Sequence, residues 1–496
     1  MRNKIFSILL VLFLFVSCTN NTDKKESVDE KAGKDTYVIG QTRVITDTDP
    51  LNSSWSITAS GISEYVYQID KDGKLQSRFL DDMKKENDLE WSFAVKNGVK
   101  FSDGSDVTID SLIECLNYIQ ENNKLSNATA GKIVFSNKDG RLYAKTERKA
   151  RNLQSVLAEW TNVVFKKDGE NFVYTGPYKV DELDSGTELK LSPNEYYDEK
   201  SKDRKNVIIK AFKDEATMKM AFLSGEIDMI FPITPELKKQ IDNDGKITKS
   251  IDAGYQYFAM VNVTNGVMND LKFREAINLY LDRNDYINAL DGGRIPTGTF
   301  AYYYDFNGDV KIENDKEKAV KILEELGYIK NKNGKFEKDG KEIELNIATL
   351  SFRKDLVILS QVMASQLETL GINVKVVALD NAENIDKDSG YDILLYAQHT
   401  APTGEPSFFL NQFFRTGEGK NKFGFSSQKI DKLLDEMSEK EDNIEIVKEI
   451  QQEIYNELPI FYIIDPEWHM ALSEDLKDYE IYCGDYFVIN DKLGVN

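Results

Sequence analysis

Helix-like and strand-like stretches alternate through most of this 496-residue chain, which predicts an α/β protein of two or three domains. Three observations carry that expectation. The length exceeds what one ordinary core fills. Hydrophobic residues make up 41% and aromatics 11%, ample for burial. Segments of helical period repeatedly stop at a glycine and give way at once to a short apolar run, the order helix, turn, strand.

Taken in order, Tyr37-Val38-Ile39-Gly40 opens the folded part as a strand, and Thr46 to Trp55 is a loop dense in turn residues. A helix around Ile62 to Tyr67 leads into a strand and tight turn at Gln68 to Leu75. There the Asp70/Asp72 pair lacks the closing Glu of a calcium loop and reads as a hairpin. Trp91, Phe93 and Val95 alternate with Ser92, Ala94 and Lys96, a strand. Asn97-Gly98 predicts a type I′ hairpin with Val99 to Phe101 returning. Thr108 is placed to cap a helix striped by Ile109, Leu112, Ile113 and Leu116. Strands at Lys132 to Phe135 and Arg141 to Thr146 follow, then a helix with Leu153, Val156, Leu157 and Trp160 on one side. Gly176-Pro177 is a rigid turn into a strand carrying Tyr178 and Val180. Asn206 to Phe212 is a buried strand, and Met218 to Ile230 a helix ended by Gly225 and followed by a strand. Tyr255 to Val263 is an apolar strand and a candidate hinge crossing. Phe273 to Leu290 reads as one amphipathic helix and Asp315 to Tyr328 as another, ended by Gly327. Ile358 to Asp380 is a helix, Gly371 and a strand; Tyr391 to Leu395 is a sheet strand. Glu449 to Leu458 is helical, and Pro459 to Ile464 leads a strand back.

A formal charge of −21 repels phosphate backbones and excludes nucleic acid as a partner. Three cysteines do not make a disulfide framework, and Cys115 and Cys483 are left unassigned. His399 and His469 are the only imidazoles, which limits any metal site built by the protein alone. The chain lacks a phosphate-binding Gly-Lys-Ser/Thr loop, a His-Glu-x-x-His zinc motif, a Cys-x-x-Cys pair and a Gly-x-Ser-x-Gly elbow. No enzyme activity and no cofactor are read from it. A hydrolase built on paired carboxylates is left open by counting alone, although acids spread along helices read better as solvated surface. Arg2 and Lys4 precede an apolar run from Ile5 to Val16, a secretory signal too short for a permanent span. Thr19 to Thr36 is polar and charged, a flexible tether.

Several of these landmarks share an order with a known family. The run is Trp-x-Phe, a hairpin, then Gly98-Val99-Lys100-Phe101-Ser102-Asp103-Gly104 and a helix. Tyr174 to Val180 and the helix–Gly225-Glu226-Ile227-Asp228–strand unit follow. Together they resemble the family-five extracellular solute-binding proteins, the peptide and nickel receptors of ABC importers. The resemblance implies a two-lobe, periplasmic-binding-protein type II-like α/β fold with an extra subdomain in lobe I. Its boundaries would be a signal at 1–17, a tether at 18–35, lobe I at 36–255 with the extra subdomain about 51–167, lobe II at 256–465, and a return to lobe I at 466–496. The stretch from Trp91 to Val107 then becomes lobe architecture. Phe15-Val16-Ser17-Cys18 resembles a lipobox, so Cys18 would carry the lipid that anchors a monomeric receptor to the outer face of the membrane, beside its permease and ATPase.

The resemblance also places the ligand between the lobes, beside the loop Tyr396 to Phe409. Peptide-binding members commonly set an aspartate there against the peptide's α-ammonium, shortly before a Gly-Asp-Pro. Here Gly404-Glu405-Pro406 matches the latter and no acid precedes it nearby. A peptide and a nickel chelate therefore both stand as ligands. The expected contacts are Trp55, Tyr255, Tyr257, Tyr396, His399 and Thr400, with His399 a metal ligand only if the cargo is nickel. Trp468 and His469 are expected to pack at the hinge.

Overall fold

The computed structural model describes residues 35–495 except 72, 128, 265, 441 and 442. The signal segment, Cys18, the tether up to residue 34 and Asp72 lie outside the described residues.

Two large sheets organise the chain. The first has seven strands in the order Tyr178–Asp184, Glu188–Pro193, Asn206–Ala211, Thr36–Gln41, Met229–Ile233, Glu467–Leu472 and Ile247–Asp252. Thr36–Gln41 pairs in parallel with both neighbours and the remaining pairs are antiparallel. The second has five strands in the order Asn373–Leu379, Glu344–Leu350, Ile393–His399, Tyr255–Val261 and Ile460–Ile464. Its central strand is buried on both faces. Tyr257, Ala259 and Val261 enter one apolar cluster, while Phe258 and Met260 enter another, as a period of two requires. A separate four-stranded antiparallel sheet is built from Leu80–Asn87, Glu90–Val95, Arg141–Thr146 and Ile133–Lys138. The helix Ile109–Asn122 packs on it.

Local chemistry explains the element ends. Thr108 and Ser111 form a reciprocal capping box, with N–H···O distances of 3.2 and 2.8 Å. The helix Lys354–Leu370 buries Leu356, Leu359, Met363, Leu367 and Leu370 and stops at Gly371, whose φ of 112° suits a residue without a Cβ.

Three expectations change. Trp91 to Val95 does not pair with Val99 to Phe101. Both its edges are taken, by Leu80–Asn87 and Arg141–Thr146. Only Gly98 of the Asn97-Gly98 turn has positive φ, so the type I′ geometry is not met and the turn redirects the chain. Val99 and Phe101 instead bond to Val107 and Ser105. Phe273 to Leu290 is two helices, Leu271–Tyr280 and Arg283–Leu290, because Asp282 caps a new start. The Arg283 guanidinium is drawn inward by the carbonyls of Tyr462, Asn278 and Leu281. The strand at Tyr391 to Leu395 begins at Ile393 and runs on to His399, so His399 is a strand residue and not a loop residue. Its register against Tyr255–Val261 continues unbroken from Val261↔Ile393 to Tyr255↔His399.

The chain passes between the sheets twice. Ile247–Asp252 leads through Ala253-Gly254 into Tyr255–Val261, and Ile460–Ile464 leads through Asp465-Pro466 into Glu467–Leu472. The two passages lie side by side, with the Ala253 N–H donating to the Pro466 carbonyl at 3.2 Å.

Candidate functional site

The two crossings gather a cluster of aromatic and charged side chains. Gly254 has φ of 71°, and a Cβ there would lie 2.8 Å from His399 Nε2 and 2.9 Å from Tyr303 Oη. A close turn without a side chain therefore lets Tyr255 enter the second sheet directly opposite His399. Their rings meet at 5.3 Å between centroids, Trp468 lies 4.9 Å from Tyr255, and Tyr486 lies 5.2 Å from His399.

Arg353 follows the strand Glu344–Leu350 and precedes the helix Lys354–Leu370, at the carboxyl end of a sheet strand. That is where α/β sheets bind ligands. Its guanidinium lies 5.8, 5.5 and 5.7 Å from the rings of Tyr255, Tyr257 and Trp468, within cation–π range. Nε and Nη2 donate to the two Asp355 oxygens at 3.1 and 2.7 Å. Nη2 also donates to Tyr257 Oη at 2.8 Å. The Tyr257 hydroxyl donates to Asp355 and receives Trp468 Nε1–H at 2.8 Å. One buried phenol thus joins Arg353 and Asp355 of the five-stranded lobe to Trp468 of the seven-stranded one. Burial alone would raise the Asp355 pKa, but the Arg353 charge overrides it and holds the carboxyl below its ordinary range.

The segment after the last strand closes the cluster from the other side. Cys483 Sγ sits 3.1 Å from His399 Nε2, and the Tyr255 hydroxyl donates to Asp485 at 3.1 Å. Burial depresses the His399 pKa to about 3, so the imidazole is neutral, and its Nδ1 has no hydrogen-bond partner among the described residues. Burial raises the Asp485 pKa to about 6. Cys115 and Cys483 are both free thiols.

Of the residues singled out from sequence, Tyr255, Tyr257 and His399 come together here. Trp55 reaches the margin, edge-on to Tyr486 at 6.5 Å. Tyr396 does not join. It stands opposite Phe258 in the register, on the other sheet face, and packs on Phe258 and Phe413. Thr400 is buried with its hydroxyl unpartnered. Glu405 pairs with Arg151 at 3.4 Å, a bridge between the 401–406 loop and the region of the four-stranded sheet. His469 caps a contact between lobes, its Nε2 lying 2.9 Å from the Leu290 carbonyl. Among the described residues no three His, Cys, Asp or Glu converge as a metal site. Sequence reading missed Arg353, Asp355, Asp485 and Tyr486, and it read Trp468 as hinge packing alone. The signal for Arg353 was available: a polar turn closing an apolar strand just before a strong helix.

The comparisons with known proteins follow the same lines. The model of the bacterial extracellular solute-binding proteins, family 5, matches residues 75–421. The oligopeptide-binding protein AppA of Bacillus subtilis is 26% identical over 96% of this chain and 95% of its own. The nickel-binding protein NikA of Staphylococcus aureus is 22% identical over 85% of this chain and 86% of its own. The crystal structure of NikA from Brucella suis in complex with Fe(III)-EDTA superposes with a TM-score of 0.83 at 16% identity, covering 92% of this chain and 99% of that one.

Proposed function

The chain belongs to the bacterial extracellular solute-binding proteins of family 5, and from that premise we propose that its cargo is a short peptide, held between the lobes around Arg353. The family comprises binding proteins for peptide or nickel import by ABC transporters, not enzymes. The observation that carries the peptide reading is the Arg353 guanidinium. Asp355 and Tyr257 hold it by Nε and Nη2, and Nη1 has no hydrogen bond among the described residues. Its side chain is 23% exposed in an aromatic box, a ready fork for a ligand carboxylate. The similarity to AppA along nearly its whole length favours a peptide as the bearer of that carboxylate. Tyr255, Tyr257 and Trp468 form the wall, and Trp55 and Tyr486 its lobe I margin.

Boundaries of 36–255 and 466–496 for lobe I, and 256–465 for lobe II, are proposed with it, supported by the composition of the two sheets. So are an extra subdomain at about 51–167, a lipid on Cys18 and delivery to a permease with its ATPase. The test is thermal: a random tripeptide pool should raise the melting temperature of the purified protein, because a ligand that binds only the native state stabilises it. Arg353→Ala should abolish the rise.

A nickel chelate is the second reading. It is favoured by the neutral His399 imidazole with an unpartnered Nδ1. A melting shift with nickel and free histidine that His399→Ala removes, and no shift with peptides, would replace the first reading by this one.

A further inference from the structure

Around the lobe junction almost every carboxylate has a cation. Asp355 is held by Arg353, Glu405 by Arg151, Glu215 by Lys354 and Asp291 by Lys238. Asp252, Asp465 and Glu467 share Arg294. Asp485 is the exception: among the described residues no ammonium or guanidinium comes within ion-pairing distance of it. Its hydrogen bond from another residue is the Tyr255 hydroxyl at 3.1 Å, on one oxygen. It is nonetheless not sealed away. Asp485 keeps partial exposure between buried neighbours, Gly484 and Tyr486.

The backbone is bent to put it there. Cys483 and Gly484 both have positive φ, 56° and 60°, and Gly484 packs against the Ala253 carbonyl and the Tyr255 ring. A left-handed cysteine costs free energy that surrounding structure must offset. The bend turns the side chain at 485 toward the crossing.

We propose that Asp485 is the subsite for a protonated amine of the ligand, so that the cargo is a zwitterion with a free amino terminus. This rests on the peptide reading above. The amino group would donate to the Asp485 oxygen that Tyr255 leaves free, while Arg353 takes the carboxylate. The Tyr255 ring links the two charges: the guanidinium carbon is 5.8 Å from its centroid and Asp485 is 3.1 Å from its hydroxyl. Three or four extended residues, at about 3.3–3.6 Å each, suffice to span that path, and a longer peptide would have to bulge or leave one end outside. Asp485 belongs to the segment packed in the core of the seven-stranded lobe, whereas Arg353 belongs to the five-stranded one. A ligand that engages both ties the lobes together, which couples binding to closure.

The experiment compares a random tripeptide pool with the same pool N-acetylated, by isothermal titration calorimetry on the wild-type protein and on Asp485→Asn. The wild type should bind the free-amine pool at least about tenfold more tightly than the acetylated pool, the loss of one charge-assisted contact. Asp485→Asn should erase that preference, with acetylated binding and the ligand-free melting temperature unchanged. Equal wild-type affinity for the two pools overturns the proposal while leaving the peptide reading intact. So does a variant that keeps the preference. If neither pool binds the wild type, the peptide reading falls and the proposal with it. The wild-type comparison decides the matter even if the variant fails to fold.

Discussion

Replacing Tyr257 by Phe removes a single oxygen and keeps the ring that fills the core of the five-stranded lobe. The Tyr257 side chain is 1% exposed, so water cannot replace what is lost. The Trp468 N–H and one Arg353 N–H lose their acceptor at 2.8 Å, and Asp355 loses a donor. Leaving buried donors unsatisfied costs about 1–3 kcal/mol. The entropy of unfolding, about 2.1 cal/mol/K per residue, amounts to roughly 1 kcal/mol per degree for a chain of this size. The expected fall in melting temperature is therefore about 1–3 °C by differential scanning calorimetry. Trp468→Phe keeps an aromatic ring against Tyr255 and removes only the N–H end of the same bond. In the double variant the two losses should overlap by about 1 kcal/mol, the net worth of one hydrogen bond. Strict additivity, to within about 0.3–0.5 kcal/mol, would refute the idea that this phenol couples the crossings.

Other perturbations follow from the same geometry. Burial lifts the Asp465 carboxyl to about 7, above its unfolded value near 3.9. The folded state then holds the proton more tightly, so stability falls as pH rises from about 4 to about 7. Asp465→Asn should match the wild type below pH 4 and exceed it in melting temperature at pH 8; equal pH profiles would exclude this role. Gly254→Ala forces a side chain into φ of 71° and onto His399 and Tyr303, a cost of about 1–2 kcal/mol for the backbone alone. A urea midpoint equal to wild type would show that the turn relaxes freely. Glu405→Gln breaks the 3.4 Å pair with Arg151 that joins the 401–406 loop to the other lobe. Ligand affinity should weaken by a few-fold, up to about tenfold for 1.4 kcal/mol. Unchanged affinity, with an unchanged radius of gyration in X-ray scattering, would assign the pair to surface decoration.

Much of the architecture was legible because it is written locally. The helix before Gly371 declares itself by its 3.6-residue stripe and its stop, and the strand after it by its apolar run. Thr108 announced the helix that it caps. Where local signals compete, tertiary structure decided. Asp282 splits a periodic stripe that looks continuous, and strand pairing with Tyr255–Val261 carries the strand on to His399. The site was only half visible for a geometric reason. Tyr257 meets Asp355 across 98 residues and Trp468 across 211, and Tyr255 meets Asp485 across 230. No window of sequence holds those pairs together. Tyr396 misled for the opposite reason, since it is adjacent in sequence and on the wrong face.

The side-by-side crossings have a mechanical meaning. Ile247–Asp252 lies next to Glu467–Leu472 in one sheet, and Tyr255–Val261 lies next to Ile460–Ile464 in the other, antiparallel in both. The four strands are in effect one long ribbon threaded through both lobes, like a tape measure shared by two rulers. Deleting a single residue at Ala253-Gly254 would move the ribbon by one notch, about 3.3 Å, and turn its side chains over. One lobe could then keep its pairing only at the other's expense. Two bodies built to swing apart are thus calibrated against each other, residue for residue, by the tape that lets them swing.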